Sequence, residues 1–238
     1  MFFSKLDSLS NAVKLISDNQ RVTDIEEISI HDAHRRVLAE DIIAFHDSPP
    51  FDKSAMDGFA LIAEETFGAS NSAPKEFKIV DAIGAGDFSS KTVKDNEAIV
   101  IARGAPIPDG ANAVLMKEYT TTDGDDLTIY SQVTPGENVS PKSEDIEKGQ
   151  KILSKNTFIR YQELGLIASA GYASIKVFKK PHIKVIITGN ELVEPTKDEI
   201  DKAKIINSNK YTISAMIEDC GALCDITHAG DTFEEVSD

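Results

Sequence analysis

The spacing of hydrophobic residues predicts one amphipathic helix near the N-terminus and a series of short strands after it. Leu6, Leu9, Val13 and Ile16 recur at helical spacing and predict a helix over residues 4–18. Further along, a strand is predicted over 37–44. Short runs rich in β-branched or alternating apolar residues then predict antiparallel strands joined by hairpins, at 77–82, 97–102, 112–119 and 127–133. The later runs together predict a small β-rich domain.

The C-terminal third has the alternating pattern of an α/β domain. The continuous apolar run within 182–188 predicts a strand buried on both faces. It ends in Thr188-Gly189-Asn190-Glu191, and ligands commonly bind at the carboxyl end of such strands. Asn207 is a candidate helix cap. The remaining elements predicted here are a helix over 157–169 that stops at Gly171, a strand over 173–178, a helix from 207 to Gly221 and a strand over 223–227.

Composition and charge narrow the class of protein. With 41% hydrophobic residues and a net charge of −15, the chain can build a core but repels nucleic acid and anionic membranes. Cys220 and Cys224 are too few for a disulfide framework and favour reduced thiols. The N-terminus lacks a signal-peptide pattern, and no apolar run approaches the roughly 20 residues that cross a bilayer. We therefore expect a cytoplasmic protein.

Two patterns with the spacing of ligand sites are better explained structurally. His31 and His34 have the spacing of metal ligands, but no third ligand is near, so a solvated helical turn is favoured. Gly84-Ala85-Gly86 resembles part of a phosphate loop. No helical pattern follows it, which excludes a dinucleotide-binding fingerprint.

The candidate chemistry lies in loops that carry carboxylates. Residues 49–60 begin with two prolines and read as irregular chain that holds Asp52 and Asp57 between apolar anchors. They can be interpreted as a site or as a tight turn whose aspartates bond nearby backbone N–H groups. Residues 136–146 carry a second pair of carboxylates, Glu144 and Asp145. They can be interpreted as part of a site or as a solvated acidic turn.

Several stretches, in order along the chain, resemble the molybdopterin molybdenumtransferase family, known as MoeA in bacteria and as the E domain of gephyrin in animals. The first, 50–60, is similar to that family's signature. Residues 103–110, with 113–116 after them, resemble its TGAP-(I/V)-P segment, and residues 136–146 resemble its GxNIRxxGEDI segment. Residues 188–192 resemble its STGDEL segment, and residues 207–209 resemble its D-(S/T)-N segment.

This resemblance implies insertion of molybdenum into adenylylated molybdopterin, with molybdate as the second substrate, AMP as a product and Mg²⁺ as the divalent cation. Mg²⁺ prefers oxygen ligands, which suits the acidic loops. The family positions imply the following roles: catalytic Asp57, Asp145 and Glu191; substrate-binding Ser54, Arg103, Thr188, Gly189 and Asp231; metal-binding Asp57 and Glu191.

The resemblance also implies an α+β multidomain fold. In it an elongated dimerisation domain (21–45 and 147–180) carries an inserted β-rich domain (46–146). An α/β three-layer domain similar to molybdopterin adenylyltransferases (4–20 and 181–238) is incomplete, and the C-terminal β-domain is absent. We expect a homodimer in which Asp57 and Asp145 face Glu191 of the partner subunit. Other proteins of molybdenum cofactor biosynthesis are the further partners that the family implies.

The chain departs from the family pattern in ways that leave other functions open. Arg103 stands where Thr is common, Asn190 replaces Asp, and Ser140 and Ser143 replace Arg and Gly. A two-stranded parallel sheet with one crossover helix leaves its faces uncovered, so we expect a chain cut within this domain and inactive alone, or a short form covered by a partner. The alternatives are a non-catalytic dimeric interaction module that keeps the family fold and a regulatory domain for another small anion.

Overall fold

The structure is a computed structural model that describes residues 8–230. Three α-helices are present in this range: α1 (Leu9–Asp18), α2 (Tyr161–Ser169) and α3 (Ser208–Asp219). The strands, in chain order, are β1 (Ile25–Ser29), β2 (Ile42–Ile43), β3 (Lys53–Ser54), β4 (Gly58–Leu61), β5 (Lys75–Ile83), β6 (Glu97–Ile101), β7 (Ala113–Met116), β8 (Thr120–Asp123), β9 (Asp126–Ile129), β10 (Val139–Ser140), β11 (Lys151–Leu153), β12 (Ser174–Phe178), β13 (His182–Thr188), β14 (Leu192–Val193), β15 (Ile205–Ile206) and β16 (Leu223–Ala229).

The described chain divides into two compact units. One unit contains the described residues up to Asp41, Ser154–Leu164, and the described residues from Ala173 onward. We call it the discontinuous unit. The other contains Ile42–Leu153 and Gly165–Tyr172, and we call it the β unit. No helix within residues 8–230 is long and apolar enough to cross a bilayer.

The β unit is built on one mixed six-stranded sheet with the strand order β7-β4-β6-β5-β9-β8. Its apolar side chains form two buried clusters, because alternate residues of each strand point to opposite sides of the sheet. The largest fully buried members are Leu61, Ile99, Ile101, Leu115, Leu127, Ile129 and Val114. This core supports the loops that carry the candidate site.

The pairing inside this sheet corrects the prediction of an all-antiparallel domain. β5 pairs with β6 in parallel, whereas β8 and β9 form the expected antiparallel hairpin. The chain between β5 and β6 is a crossover over residues 84–96 rather than a tight hairpin, so the two strands run in the same direction. Residues 49–60 are also more regular than predicted, because they contain β3 and the fully buried β4.

The discontinuous unit contains three separate pairs of strands, of which the shortest is the parallel pair β14 and β15. β1 and β12 pair in antiparallel register. β13 and β16, which precede and follow α3 in the sequence, pair in parallel. The prediction that β13 is buried on both faces is wrong, since most of its residues are exposed. Its sheet has two strands, and α3 packs against β16, so much of β13 stays exposed.

Other predicted boundaries shift by a few residues. α1 begins at Leu9, and positions 4–7 of the predicted helix lie outside the described residues. The strand predicted over 37–44 is limited to β2, while Val37 and Leu38 form isolated bridges. The predicted helix cap is confirmed, because the Asn207 side chain accepts the Lys210 N–H at 3.1 Å. The architecture is a mixed α+β fold.

Candidate functional site

The stretch 49–60 forms the centre of a three-loop cluster in the β unit. On one side the Ser54 N–H donates to Ala105 O at 2.9 Å, and the Gly104 N–H donates to Ser54 O at 2.8 Å. On the other side the Ala55 N–H donates to Asn138 O at 2.9 Å, and β3 pairs with β10. Main-chain hydrogen bonds therefore join three of the family-like segments, 49–60, 103–110 and 136–146, into one surface. We call this surface the loop cluster.

Both aspartates of 49–60 bond to backbone N–H groups of the neighbouring loops. Asp57 Oδ1 accepts from Arg103 N at 2.8 Å, and Asp52 Oδ1 accepts from Lys142 N at 2.7 Å. For Asp52 the interpretation as a tight turn that bonds nearby backbone is wrong, because its N–H partner is ninety positions away in the sequence. Each carboxylate holds a different loop against the central stretch.

Ser54 occupies the interior of the central stretch. It is 1% exposed, and its hydroxyl donates to Met56 O and accepts from Met56 N. These bonds fix the turn that leads into Asp57. In this structure Ser54 is a positioning residue, and its hydroxyl is already hydrogen-bonded within the chain.

Gly58 permits the close approach of β4 to β7. A Cβ atom at this position would lie 2.0 Å from Leu115 O, far inside van der Waals contact with a backbone atom. Only glycine fits, because it has no side chain. The residue after Asp57 is therefore locked into the sheet, and Asp57 projects from a rigid strand end.

Asp145 belongs to the same cluster through its backbone. Its N–H donates to Ser48 O at 2.9 Å, and the Ser143 N–H donates to Pro49 O at 3.0 Å. Ser143 has φ +63°, a left-handed conformation that favours glycine. Asp145 itself is exposed. Asp47 lies in the same area, and the Lys148 N–H, followed by the Lys142 side chain, holds the pKa of Asp47 below its usual range.

A shallow groove of about 320 Å³ opens beside Asp57. Its floor is apolar and includes Phe59, Ile83 and Val100, while Asp57 and Lys117 are its charged lining residues. The Lys117 N–H donates to Asp57 O at 3.3 Å. Arg103 and Lys117 thus bond to Asp57 through their backbone N–H groups, and both residues are exposed.

Three other predicted site residues, Thr188, Gly189 and Glu191, lie at the carboxyl end of β13 in the discontinuous unit. Gly189 has φ +137°, and a Cβ atom there would lie 2.8 Å from both carboxylate oxygens of Glu191. Glycine therefore lets the Glu191 carboxylate lie against the backbone of the turn. A ring nitrogen of His228 lies 3.0 Å from Gly189 O, and Lys204 Nζ donates to Asn190 O at 2.6 Å. Thr188 and Glu191 are exposed.

Residues that the sequence did not single out lie close to this turn. Glu194 accepts from Lys210 Nζ at 2.6 Å and from the Tyr211 hydroxyl at 2.7 Å. Bonding to Lys210, and then to Tyr211, lowers the pKa of Glu194. Glu194, Lys210 and His228 line a cavity of about 240 Å³. No sequence pattern pairs Glu194 with Lys210, because a loop separates them.

Two predictions find no counterpart among the described residues: the substrate-binding role of Asp231 and a metal site. Asp231 lies outside the described residues. Within residues 8–230 no group of three His, Cys, Asp or Glu side chains is arranged to hold a metal ion by itself. The structure therefore brings Ser54, Asp57, Arg103 and Asp145 into one cluster, and Thr188, Gly189 and Glu191 into another, each within its own unit.

Comparison with known proteins shows the family of this chain. A family model described as the MoeA N-terminal region (domain I and II) matches residues 7–171. The chain belongs to the MoeA family. A molybdopterin molybdenumtransferase of Staphylococcus aureus is 39% identical over 213 residues, which are 90% of this chain and 51% of that protein. The corresponding protein of Staphylococcus epidermidis is 39% identical over 214 residues.

Solved structures agree with this membership. The crystal structure of a molybdopterin biosynthesis MoeA protein from Pyrococcus horikoshii OT3 matches with a TM-score of 0.89 and 33% identity. The match covers 98% of this chain and 62% of that one. The chain spans about half the length of the curated relatives it matches.

Proposed function

We propose that the protein to which this chain belongs is a molybdopterin molybdenumtransferase. It would insert molybdenum from molybdate into adenylylated molybdopterin and release AMP. The observation that carries the proposal is the loop cluster, in which three family-like segments interlock and Asp57 is held at a rigid strand end. Family membership supports the same reaction, because the curated relatives bear this name.

Asp57 would be the central catalytic carboxylate. One oxygen accepts the Arg103 N–H, and among the described residues the other has no donor. This oxygen is therefore available to a metal ion or a substrate. Asp145 would act from the same cluster, and Glu191 from the turn after β13. Arg103, Thr188 and Gly189 would contact the anionic substrates, as would Asp231, as the family positions imply. The family positions imply substrate binding for Ser54 too, but its hydroxyl is buried and bonded to Met56, so Ser54 would act by fixing the turn before Asp57.

The donor set fits a bound Mg²⁺ ion. Mg²⁺ usually binds through one or two carboxylates and completes its shell with water and substrate phosphates, so a closed protein cage is not required. Asp57 and Glu191 are exposed carboxylates of this kind. When bound, the ion would neutralise negative charge on the phosphate groups of the nucleotide.

We further propose that two copies of the protein assemble as a homodimer in the cytoplasm. The site would combine Asp57 and Asp145 of one subunit with Glu191 of the other. The division into an elongated dimerisation domain, an inserted β-domain and a three-layer α/β domain belongs to the same proposal. Its support is family membership and the presence of the two groups of site residues in separate units.

The test uses the full-length protein with adenylylated molybdopterin, molybdate and Mg²⁺, and it measures AMP release. Asp57→Asn keeps an oxygen for the Arg103 N–H and removes the charge, so we expect an intact fold and a loss of rate of about 100-fold or more. Asp95→Ala removes an exposed aspartate of the same unit and should leave the rate unchanged. No AMP release from the unaltered protein would refute the proposal.

A non-catalytic dimeric module is the second candidate. It is favoured by Arg103, whose exposed guanidinium replaces the small hydroxyl that the family commonly has beside the catalytic aspartate. A protein with this function would sediment as a dimer, and it would neither bind nor cleave the nucleotide substrate. Restoring Thr at position 103 would then not restore activity.

A further inference from the structure

A groove with a basic rim lies entirely within the discontinuous unit. It has a volume of about 370 Å³ and is lined by segments 21–23, 35–37 and 178–181, by residues 156 and 158, and by the end of α3. Its cationic lining residues are Arg21, Arg35, Arg36, Lys179 and Lys180. We call it the basic groove. This clustering of cationic residues is unusual, because the chain as a whole carries a net charge of −15.

Part of this charge is used in internal contacts. Arg36 is buried and pairs with Glu26, and Arg35 donates to Asp219 Oδ1 at 2.9 Å and to its carbonyl at 2.6 Å. Lys179 Nζ lies 3.4 Å from Asp24. Arg21 and Lys180, by contrast, have no anionic partner among residues 8–230. They therefore supply positive charge in the basic groove that no carboxylate of the described part of the chain pairs with.

The backbone brings Arg21 and Lys180 to the same rim. β1 and β12 are antiparallel, with Ile25 opposite Phe178. The pairing continues beyond the strands, because the Lys179 N–H donates to Asp24 O at 2.8 Å and the Thr23 hydroxyl donates to Lys179 O at 2.7 Å. Residues 21–24 therefore run beside residues 178–181, and both cations line the groove.

The rest of the lining includes exposed apolar surface. Val22 is 78% exposed and Phe158 is 46% exposed, and both line the groove. An exposed aromatic ring in the same groove as two exposed cations suits a ligand that has a flat apolar part and an anionic part. The volume lies in the range of small-molecule sites, which is about 300–1,000 Å³.

We propose that the basic groove binds a phosphorylated aromatic metabolite of the size of a nucleoside monophosphate. Arg21 and Lys180 contact the phosphate, and Phe158 and Val22 contact the ring. This site is separate from the loop cluster and from the turn after β13. Its existence does not depend on the proposed molybdenum transfer.

The experiment measures binding of AMP to the full-length protein by calorimetry and locates it by hydrogen–deuterium exchange. We expect AMP to slow exchange in the peptides that contain 21–24 and 178–181. Adenosine, which lacks the charge, and inorganic phosphate, which lacks the ring, should bind at least about tenfold more weakly than AMP. Added salt should weaken AMP binding, because the cations are exposed.

Two double variants that remove the same amount of positive charge distinguish binding in the basic groove from a general effect of the charge of the protein. The double variant Arg21→Gln/Lys180→Gln should weaken the AMP binding seen at these peptides by about tenfold or more. Lys197→Gln/Lys202→Gln removes two exposed cations of the same unit outside the groove and should leave binding unchanged. Phe158→Ala should weaken AMP without weakening inorganic phosphate.

Three results would overturn the proposal. One is protection by AMP that appears only around 188–194, the turn assigned to molybdenum transfer. Another is an equal loss of affinity in the two double variants. The third is binding of a hexaglutamate peptide, lost in Arg21→Gln/Lys180→Gln, with no binding of AMP, which would make the groove a site for acidic peptides. Failure of molybdenum transfer affects none of these measurements.

Discussion

The loop cluster and the turn after β13 both carry family-like motifs, but the structure supports them in different ways. The loop cluster lies on a six-stranded sheet whose Ile99 and Leu115 are at most 1% exposed. The turn lies on a two-stranded sheet whose Ile186 and Leu223 are 47% and 52% exposed. Buried apolar area is the main source of stability. The first motif is therefore fixed by its own unit, and the second depends on local polar contacts.

This difference predicts how each region responds to a change. In the loop cluster, loops distant in sequence are joined by backbone hydrogen bonds, so one substitution alters several motifs together. Near the turn, the contacts are exposed and local, so a substitution changes local order more than global stability.

The largest effect is expected at Gly58 in the β unit. In Gly58→Ala the new Cβ would meet Leu115 O, which is backbone and cannot rotate away. β4 and β7 must separate, and we expect a loss of about 3 kcal/mol in the free energy of unfolding. Urea unfolding measures this loss. Gly84→Ala is the control, because its Cβ would meet only the Asp87 side chain at 3.4 Å. Equal losses in the two variants would contradict the close-approach argument.

A smaller effect is expected at Asp52, which joins two loops of the cluster. Asp52→Ala removes the acceptor of the Lys142 N–H, and we expect a loss of about 1 kcal/mol. Asp52→Asn keeps an acceptor oxygen and should recover most of this loss. Exchange of the Lys142 amide should accelerate in the Ala variant only. Unchanged exchange would mean that the hydrogen bond does not hold the 136–146 loop.

The sequence predicted local elements better than long-range pairing. Helical spacing and the Asn207 cap located α2 and α3 to within a few residues, because periodicity and capping are local properties. The parallel pairing of β5 with β6 was missed, since it depends on the path of residues 84–96. The exposure of β13 was missed for a similar reason, since an apolar run does not reveal what covers it.

The candidate site was predictable only as separate motifs. The resemblance pointed to Asp57, Arg103 and Asp145, but it did not show that Asp57 bonds the Arg103 backbone. Asp52 seemed a local turn residue because aspartates often bond nearby N–H groups. Its partner Lys142 lies in another loop, and only the fold brings the two together.

A modest gain in stability is expected from Ser143→Gly. Ser143 adopts φ +63° in the 136–146 loop, a conformation that costs energy for a residue with a Cβ atom. Its side chain also bonds Asp47, so the loss of this contact offsets part of the gain. We expect a net increase of about 0.5 kcal/mol in the free energy of unfolding. Ser140→Gly in β10 should instead reduce stability. A loss in both variants would show that the Asp47 contact outweighs backbone strain.

The smallest effect is expected at Glu194, beside the turn after β13. Lys210 and Tyr211 stabilise its carboxylate and lower its pKa, so folding gains stability from this group above the usual glutamate pKa of 4.5. This gain is lost as the pH falls from that value through the lowered pKa of the folded state. We therefore expect Glu194→Gln to lower the melting temperature slightly at pH 7 and to match the unaltered protein in acid. Glu199→Gln, an exposed glutamate of the same unit, should have no effect at either pH. A difference that persists undiminished in acid would show that packing around Glu194, rather than its charge, joins the loop to α3.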